Sequence, residues 1–249
     1  MYQKERLDSI MEIVNKYGYV TVKYLVAQLH YSKATINRDL NVLEAQKRLR
    51  RSYGGVEVVH EDEVPLPFRY HKMHGEKIKI CKKASEFIKD GDTVFIDAAT
   101  TTELMAEFLA DKKDLLVITN NMTLVMRLSE MGVRTICMGG EVVEPYCMLS
   151  GADTVATALK YHVDKLFFSV SYVSKEGRVA TSPIYQLLLS VMIQNADEVY
   201  LLSDREKFGT PLRGREYVCD LSQVKAVISD AELWEETKKK FPNTLFVQV

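Results

Sequence analysis

Along the first 60 residues apolar positions return every three or four. Leu7, Ile10, Val14 and Tyr17 share one face of a helix predicted over residues 3–17. Gly18 follows, where glycine commonly ends a helix. Leu25, Val26 and Leu29 mark a second helix capped by Thr21, and His30-Tyr31 is a short turn. Ile36, Leu40 and Leu43 mark a third helix. Ser32 is its N-cap, because a serine hydroxyl accepts an N–H from the first turn. The face opposite holds Ala34, Asn37, Arg38 and Asn41. Lys47, Arg48, Arg50 and Arg51 come next, then Tyr53-Gly54-Gly55 and the run Val56 to Val59. A basic strand, a glycine turn and a second strand predict a hairpin. Three short helices closed by such a wing describe a winged helix-turn-helix, whose third helix enters the major groove.

Residues 60–77, HEDEVPLPFRYHKMHGEK, break the pattern. Two prolines and an acidic cluster mark a linker, which Pro65 and Pro67 would keep extended. From residue 76 apolar strands alternate with helical runs. Strands are predicted at Thr93–Asp97, Leu115–Thr119, Arg134–Met138, Lys165–Val170, Val199–Ser203, Ala226–Ser229 and Thr244–Val249. Ile80, Ala84, Phe87 and Ile88 suggest a helix before the first of them. Further helices are predicted at Thr102–Leu109, Met122–Met131, Ala152–Tyr161, Ile184–Asn195 and Ala231–Lys240. This order argues an α/β domain, a mostly parallel sheet covered on both faces. The predicted organisation is a winged domain over residues 1–60, a linker over 61–75 and an α/β domain over 76–249, for which the strand-end residues below suggest effector sensing and oligomerisation.

Charge sharpens the division. The 249 residues carry a net charge of −1. Residues 1–60 hold ten lysines and arginines against six carboxylates, and the excess reverses afterwards. A basic first quarter on an acidic remainder suggests that only the first part faces a polyanion. The amide and guanidinium groups of the third helix are the types that bond base edges and phosphates. Candidate DNA contacts are Ser32, Lys33, Thr35, Asn37, Arg38, Asn41, Lys47, Arg48, Arg50, Arg51, Tyr53 and Gly54. Within that set the base-reading candidates are Lys33, Thr35, Asn37, Arg38 and Asn41. A helix-and-hairpin unit that merely packs is the plainer reading, but packing alone does not gather polar and basic groups on one side.

No apolar run approaches the roughly 20 residues of a membrane span, and the first ten residues lack the apolar core of a signal peptide. A cytoplasmic location is expected. Cys81, Cys137, Cys147 and Cys219 form no CxxC pair and no zinc spacing, so reduced thiols are expected. The five histidines show no metal spacing. No cofactor and no metal are expected.

Ligands of parallel sheets bind beyond the carboxyl ends of the strands. Those ends carry Asp97-Ala98-Ala99-Thr100-Thr101-Thr102-Glu103, Thr119-Asn120-Asn121, Gly139-Gly140-Glu141, Ser169 to Ser171, and Ser203-Asp204-Arg205-Glu206-Lys207. Small, hydroxylated, amide and charged groups suit a polar ligand rich in hydroxyls and oxyanions. The three threonines stand where a strand becomes a helix. Unpaired N–H groups and the helix dipole can hold a phosphate there. Equally, one threonine can cap the helix while the others satisfy turn backbone. Both roles stay open on the residues alone.

SKATINRDLNVLE followed by RRSYGGV resembles the N-terminal signature of the DeoR family of bacterial transcriptional regulators. Asn37 stands where that pattern has the first of two arginines, and Lys47 where it has a glycine. The order Asp97-Ala-Ala-Thr-Thr-Thr, Thr119-Asn120, Gly139-Gly140 and Ser203-Asp204-Arg-Glu-Lys207-Phe208-Gly209 is similar to the family's sensor domain. Ala99 replaces a usual glycine, Arg205-Glu206 replaces small hydroxyl residues, and Ser169 to Ser174 lacks the usual glycine. The resemblance implies a sensor related in fold to ribose-5-phosphate isomerase. It would bind a phosphorylated sugar or related metabolite through Asp97, Ala99, Thr100, Thr101, Thr102, Glu103, Asn120, Gly139, Gly140, Asp204, Arg205 and Lys207.

The chain therefore reads as a sequence-specific DNA-binding regulator, with repression the expected sign. Its partners would be a double-stranded operator, a small-molecule effector (a sugar phosphate by resemblance) and further copies of itself, with no membrane. Lys207, aided by Arg205, is expected to bring positive charge to the threonine turn. Asp97 is expected to accept from sugar hydroxyls or to fix that turn. A rival from another class is an aldose–ketose phosphate isomerase with an appended winged domain. It would need a carboxylate base beside a carbonyl, from Glu103, Glu141 or Asp204. The paired D-G-A-D-type loop of the isomerases is absent from the sequence. A winged helix used only for protein contacts is a third reading, weakened by the basic wing.

Overall fold

The computed structural model describes all residues except 1–2, 18, 53–54, 59–65, 144–146 and 210–214. The chain divides into two compact units, Met1–Arg69 and Tyr70–Val249.

The first unit contains α1 (Gln3–Tyr17), β1 (Tyr19–Thr21), α2 (Val22–Leu29), α3 (Lys33–Ala45), β2 (Leu49–Ser52) and β3 (Gly55–Val58). Both expected caps form. Thr21 accepts the N–H of Tyr24, and Ser32 accepts that of Thr35, each at 3.1 Å. Ile10, Val14, Leu25, Ile36, Leu40 and Leu43 make a fully buried core. The wing is antiparallel as expected, with Arg51 opposite Val56. β1 adds a third strand that helical spacing did not reveal, and β3 lies between β1 and β2. Gly55 is needed at that junction, since a Cβ there would lie 2.4 Å from the Val20 carbonyl oxygen. Arg6 clamps the buried Asp39 through two bonds of 2.6 and 2.8 Å, joining α1 to α3. Tyr53 and Gly54 lie outside the described residues.

The connection departs from expectation. Pro65 lies outside the described residues, and Pro67 stands inside a helix, α4 (Leu66–His71), which α5 (His74–Ser85) follows. Pro67 falls at the second helical position, where its missing N–H would have had no partner within the helix.

The second unit continues with β4 (Thr93–Ile96), β5 (Leu116–Thr119), α6 (Met122–Glu130), β6 (Arg134–Cys137), β7 (Glu141–Val143) and β8 (Met148–Ser150). Then come α7 (Ala152–Ala158), β9 (Val163–Phe168), β10 (Tyr172–Val173), β11 (Arg178–Thr181) and α8 (Pro183–Gln194). The last elements are β12 (Ala196–Leu202), β13 (Glu216–Asp220), β14 (Ala226–Ser229), α9 (Glu235–Lys240) and β15 (Leu245–Gln248). Seven strands form one sheet in the order β15-β14-β12-β9-β4-β5-β6, every neighbouring pair parallel. One core lies on each face, as the α/β reading requires. β10, β11 and β13 form a small antiparallel sheet, and β7 pairs with β8. Neither was visible as alternation, because these strands are two to five residues long. Two helices are corrected. Thr102–Phe108 is a 3₁₀ helix rather than an α-helix, and the last helix begins at Glu235 rather than Ala231. Among the described residues no helix is long and apolar enough to cross a membrane.

Candidate DNA interface and metabolite site

On the first unit, Lys33, Ala34, Arg38 and Asn41 are exposed while Ile36, Leu40 and Leu43 are buried, so α3 presents the expected polar face. Ser32 and Thr35 pair their hydroxyls at 2.9 Å at its start. Arg51 does not extend along the wing. It turns inward and donates to Asn37 Oδ1 at 2.9 Å, to the Asn37 carbonyl at 3.2 Å and to Asn41 Oδ1 at 2.7 Å. Glu44 accepts the Arg51 backbone N–H at 3.2 Å. Both amide oxygens thereby accept from Arg51, and the NH2 groups of Asn37 and Asn41 are donors of the kind that base-edge acceptors take. Arg50 pairs across the wing with Glu57 at 2.6 Å, and Arg48 lies 3.7 Å from Asp8. Lys47 occupies the left-handed region, with φ of 52°, a conformation that favours glycine.

On the second unit, β4 sits at the point where strand order reverses, with β5 and β6 on one side and β9 on the other. Ligands of open α/β sheets bind at such a point. Asp97 spans it. It accepts from the Thr102 hydroxyl at 2.5 Å and from the Ser169 backbone N–H at 3.2 Å, tying the end of β4 to that of β9. Of the two roles expected for Asp97, fixing the threonine turn is the one this geometry displays. Thr102 also accepts the Ala99 N–H at 3.2 Å. Thr100, Thr101 and Thr102 are all buried, as are Glu103, Asn120 and Asp204, while Ala99 is partly exposed.

A lysine that the residue pattern did not single out, Lys77, lies at the threonine turn. Its Nζ donates to Thr100 Oγ1 at 3.1 Å, and the residue is 4% exposed. A signal existed: Lys77 shares with Ile80, Cys81 and Ala84 the inward face of α5. A lysine on an apolar stripe is a charge carried into the core. Lys207 is buried too, near the charge of Arg215, and burial then Arg215 lower its pKa to about 7. Tyr70 is another omission. Its hydroxyl donates to Glu103 Oε2 at 2.5 Å, and Asn121 Nδ2 donates to the same oxygen at 3.2 Å. Arg127 stands 3.9 Å from the other oxygen. Burial pushes the Asp204 carboxyl up to about 6, with Lys77 the strongest influence in the other direction.

Two buried polar atoms at the strand ends, Asn120 Oδ1 and Ser203 Oγ, have no hydrogen-bond partner among the described residues. Each suits a ligand hydroxyl. Other candidates have more exposed surroundings. Arg205 is exposed and bonds Asp230 at 2.7 Å. Gly139 and Gly140 are exposed and shape a turn: Thr154 donates to the Gly139 carbonyl at 2.7 Å. A Cβ on Gly140 would lie 2.0 Å from Thr154 Oγ1. Close packing therefore accounts for that glycine.

Comparison with known proteins matches both halves. Residues 6–62 match the DeoR-like helix-turn-helix domain, and residues 72–231 the DeoR C terminal sensor domain. The lactose phosphotransferase system repressor of Streptococcus mutans is 34% identical over 93% of this chain and 94% of its own. The glycerol-3-phosphate regulon repressor of Escherichia coli is 30% identical over 93% and 92%. Among solved structures, ribose 5-phosphate isomerase A from Methanocaldococcus jannaschii aligns with a TM-score of 0.42, at 16% identity over 55% of each chain.

Proposed function

Because the chain belongs to the DeoR family of transcriptional regulators, we propose that it represses transcription from its own operator under the control of a phosphorylated sugar or related metabolite. Two relatives it matches along nearly their whole length are named as the lactose phosphotransferase system repressor and the glycerol-3-phosphate regulon repressor. The observation that carries the reading is the joining of wing to recognition helix. Arg51 bonds Asn37 and Asn41, so the wing and the exposed face of α3 form one polar surface. That surface carries the amide and guanidinium donors that suit a major-groove reader. The division of labour follows the sequence: residues 1–60 read DNA, 61–75 connect, and 76–249 sense and oligomerise within the cytoplasm. Linking two heads raises effective concentration without any new contact.

The strand ends support binding rather than turnover. An isomerase needs a carboxylate free to move a proton beside a carbonyl. Glu103 is held by Tyr70 and Asn121, and Asp97 by Thr102 and Ser169. Asp204 accepts the N–H of Glu206 at 3.0 Å, and Glu141 is exposed on β7. These carboxylates are engaged in shaping the site or lie away from it.

The test uses the purified full-length protein. It should prefer its own promoter region to random duplex, with affinity falling steeply in salt. A panel of sugar phosphates should contain one that raises the melting temperature and shifts operator affinity. Absence of any salt-dependent promoter preference overturns the DNA-binding reading, and isomerisation of a sugar phosphate would establish the rival.

A further inference from the structure

We infer that the outer faces of α7 and α8 form the surface on which a second copy of this chain docks, two-fold and antiparallel. This rests on the reading of the second unit as the oligomerising part.

The inference starts from α8, Pro183–Gln194, whose twelve residues carry no charge. Of twelve residues in an ordinary soluble domain, about three are charged. The inner face of α8 is accounted for, because Leu188, Leu189, Met192 and Ile193 are buried. The outer face is apolar as well. Ile184 is exposed, Leu187 is 59% exposed, and Val191 continues the same stripe half-buried. A helix that is apolar all round belongs between two layers, and the described residues supply one. α7 packs beside α8 and repeats the pattern. Ala152 and Ala156 are exposed, and Leu159, its C-terminal cap, is 64% exposed. Gln186 of α8 donates to the Tyr217 carbonyl at 3.0 Å, which brings an exposed tyrosine alongside. α8 is about 18 Å long, and neighbouring elements lie about 10 Å apart. Two helices and the flanking tyrosine therefore make a face on the order of the ~800 Å² per partner that a stable dimer takes.

The absence of charge selects the occupant. In a two-fold interface a residue near the axis meets its own copy, so a charge there would face a like charge. A face cleared of charge along the whole of α8 removes that repulsion. Charge returns at the two ends of α7, with opposite signs. Asp153 lies in its first turn and Lys160 just after it, both exposed. Seven residues apart, they lie on one side of the helix axis. Antiparallel packing about a two-fold sets Asp153 of each copy beside Lys160 of the other. One α7 thus carries both halves of the complement, which suits a second copy of this chain. Two copies joined here hold two DNA-reading units at high effective concentration.

Sedimentation velocity on the full-length protein at micromolar concentration tests this. Wild type should run as a dimer or an even-numbered assembly. Leu187→Glu should raise the dimer dissociation constant about thirtyfold or more, since it sets two carboxylates near the axis. Leu245→Glu, at a position on β15 that is 51% exposed, should leave the assembly unchanged. Asp153→Lys should weaken the dimer, and Asp153→Lys joined to Lys160→Asp should restore it. Such a rescue comes from pairing between copies and not from folding. Wild-type assembly in Leu187→Glu would overturn the inference and leave the DNA-binding reading standing. A double variant no tighter than Asp153→Lys alone would also overturn it. A monomeric wild type would overturn both this surface and the oligomeric reading. Should Leu187→Glu fail to fold, the charge exchange decides by itself.

Discussion

The two units handle polar groups in opposite ways. On the recognition helix and wing they are exposed, and they pair with one another: Arg51 with Asn37 and Asn41, Arg50 with Glu57. At the strand ends they are buried, with Thr100, Thr102, Glu103, Asn120 and Asp204 each at 7% exposure or less. Exposed charges are screened by salt and individually weak. They suit a partner met through many contacts to phosphates. Buried groups are costly unless satisfied, and they suit a small ligand that must complete a nearly finished network. The first surface is legible from residue type alone, whereas the second depends on which chain segments meet.

The largest expected effect breaks the exposed side. Arg38 is an exposed guanidinium on the polar face of α3. Arg38→Ala should cost ~1–3 kcal/mol per head, which across two heads removes operator binding in a fluorescence-anisotropy titration. If six basic groups per head reach phosphates, the log–log salt slope should be about −5 per head. The Arg38 variant should also reduce that slope by about one on random duplex. An unchanged slope would place Arg38 away from the backbone.

A middle-sized effect reads the buried side through pH. Asp204 rises from an ordinary 3.8 to about 6 because it is buried. The folded state therefore binds this proton more tightly than the unfolded chain does. Its contribution favours folding below about pH 4 and is lost as pH rises toward about 6, by up to ~3 kcal/mol. Lys207 acts with the opposite slope. Its pKa falls from 10.5 to about 7, so stability on its account grows as pH rises from about 7 to about 10. Asp204→Asn should flatten the acid limb of a urea-denaturation series and leave the alkaline limb. An acid limb identical to that of the wild type would show that Asp204 titrates as in the unfolded chain.

The smallest effect tests one local departure on the exposed side. Lys47 holds a left-handed conformation at a position where the resembling pattern has glycine. Such a conformation costs an ordinary residue ~1–2 kcal/mol. Glycine's greater freedom in the unfolded chain takes back part of the gain. Lys47→Gly should therefore stabilise the protein by about 0.5–1 kcal/mol in denaturant, while lowering DNA affinity slightly through the lost charge. A destabilised variant would mean that the lysine stem makes contacts worth more than the strain.

The helices and wing of the first unit, both caps, the parallel α/β character of the second and most strand positions follow from the order of residues alone. The reason is local. Capping, turn chemistry and hydrophobic period act over a few residues, and runs such as Ile36-Leu40-Leu43 declare their inner face without reference to anything distant. The order of strands put Asp97 and Ser169 beside each other, 72 residues apart, and no local rule states that. The short strands β7, β8, β10 and β11 owe their existence to partners rather than to alternation. The 3₁₀ form of Thr102–Phe108 and the helical form of Leu66–His71 were likewise decided by surroundings. The clearest case is the lysine at the threonine turn. Residue type and strand-end logic pointed to Lys207, which folding buries near Arg215. Tertiary packing brings a further lysine, Lys77, from a helix before the sheet begins, to Thr100. A lysine's long stem lets its charge act far from its own backbone, so only the packed structure decides which strand end receives it.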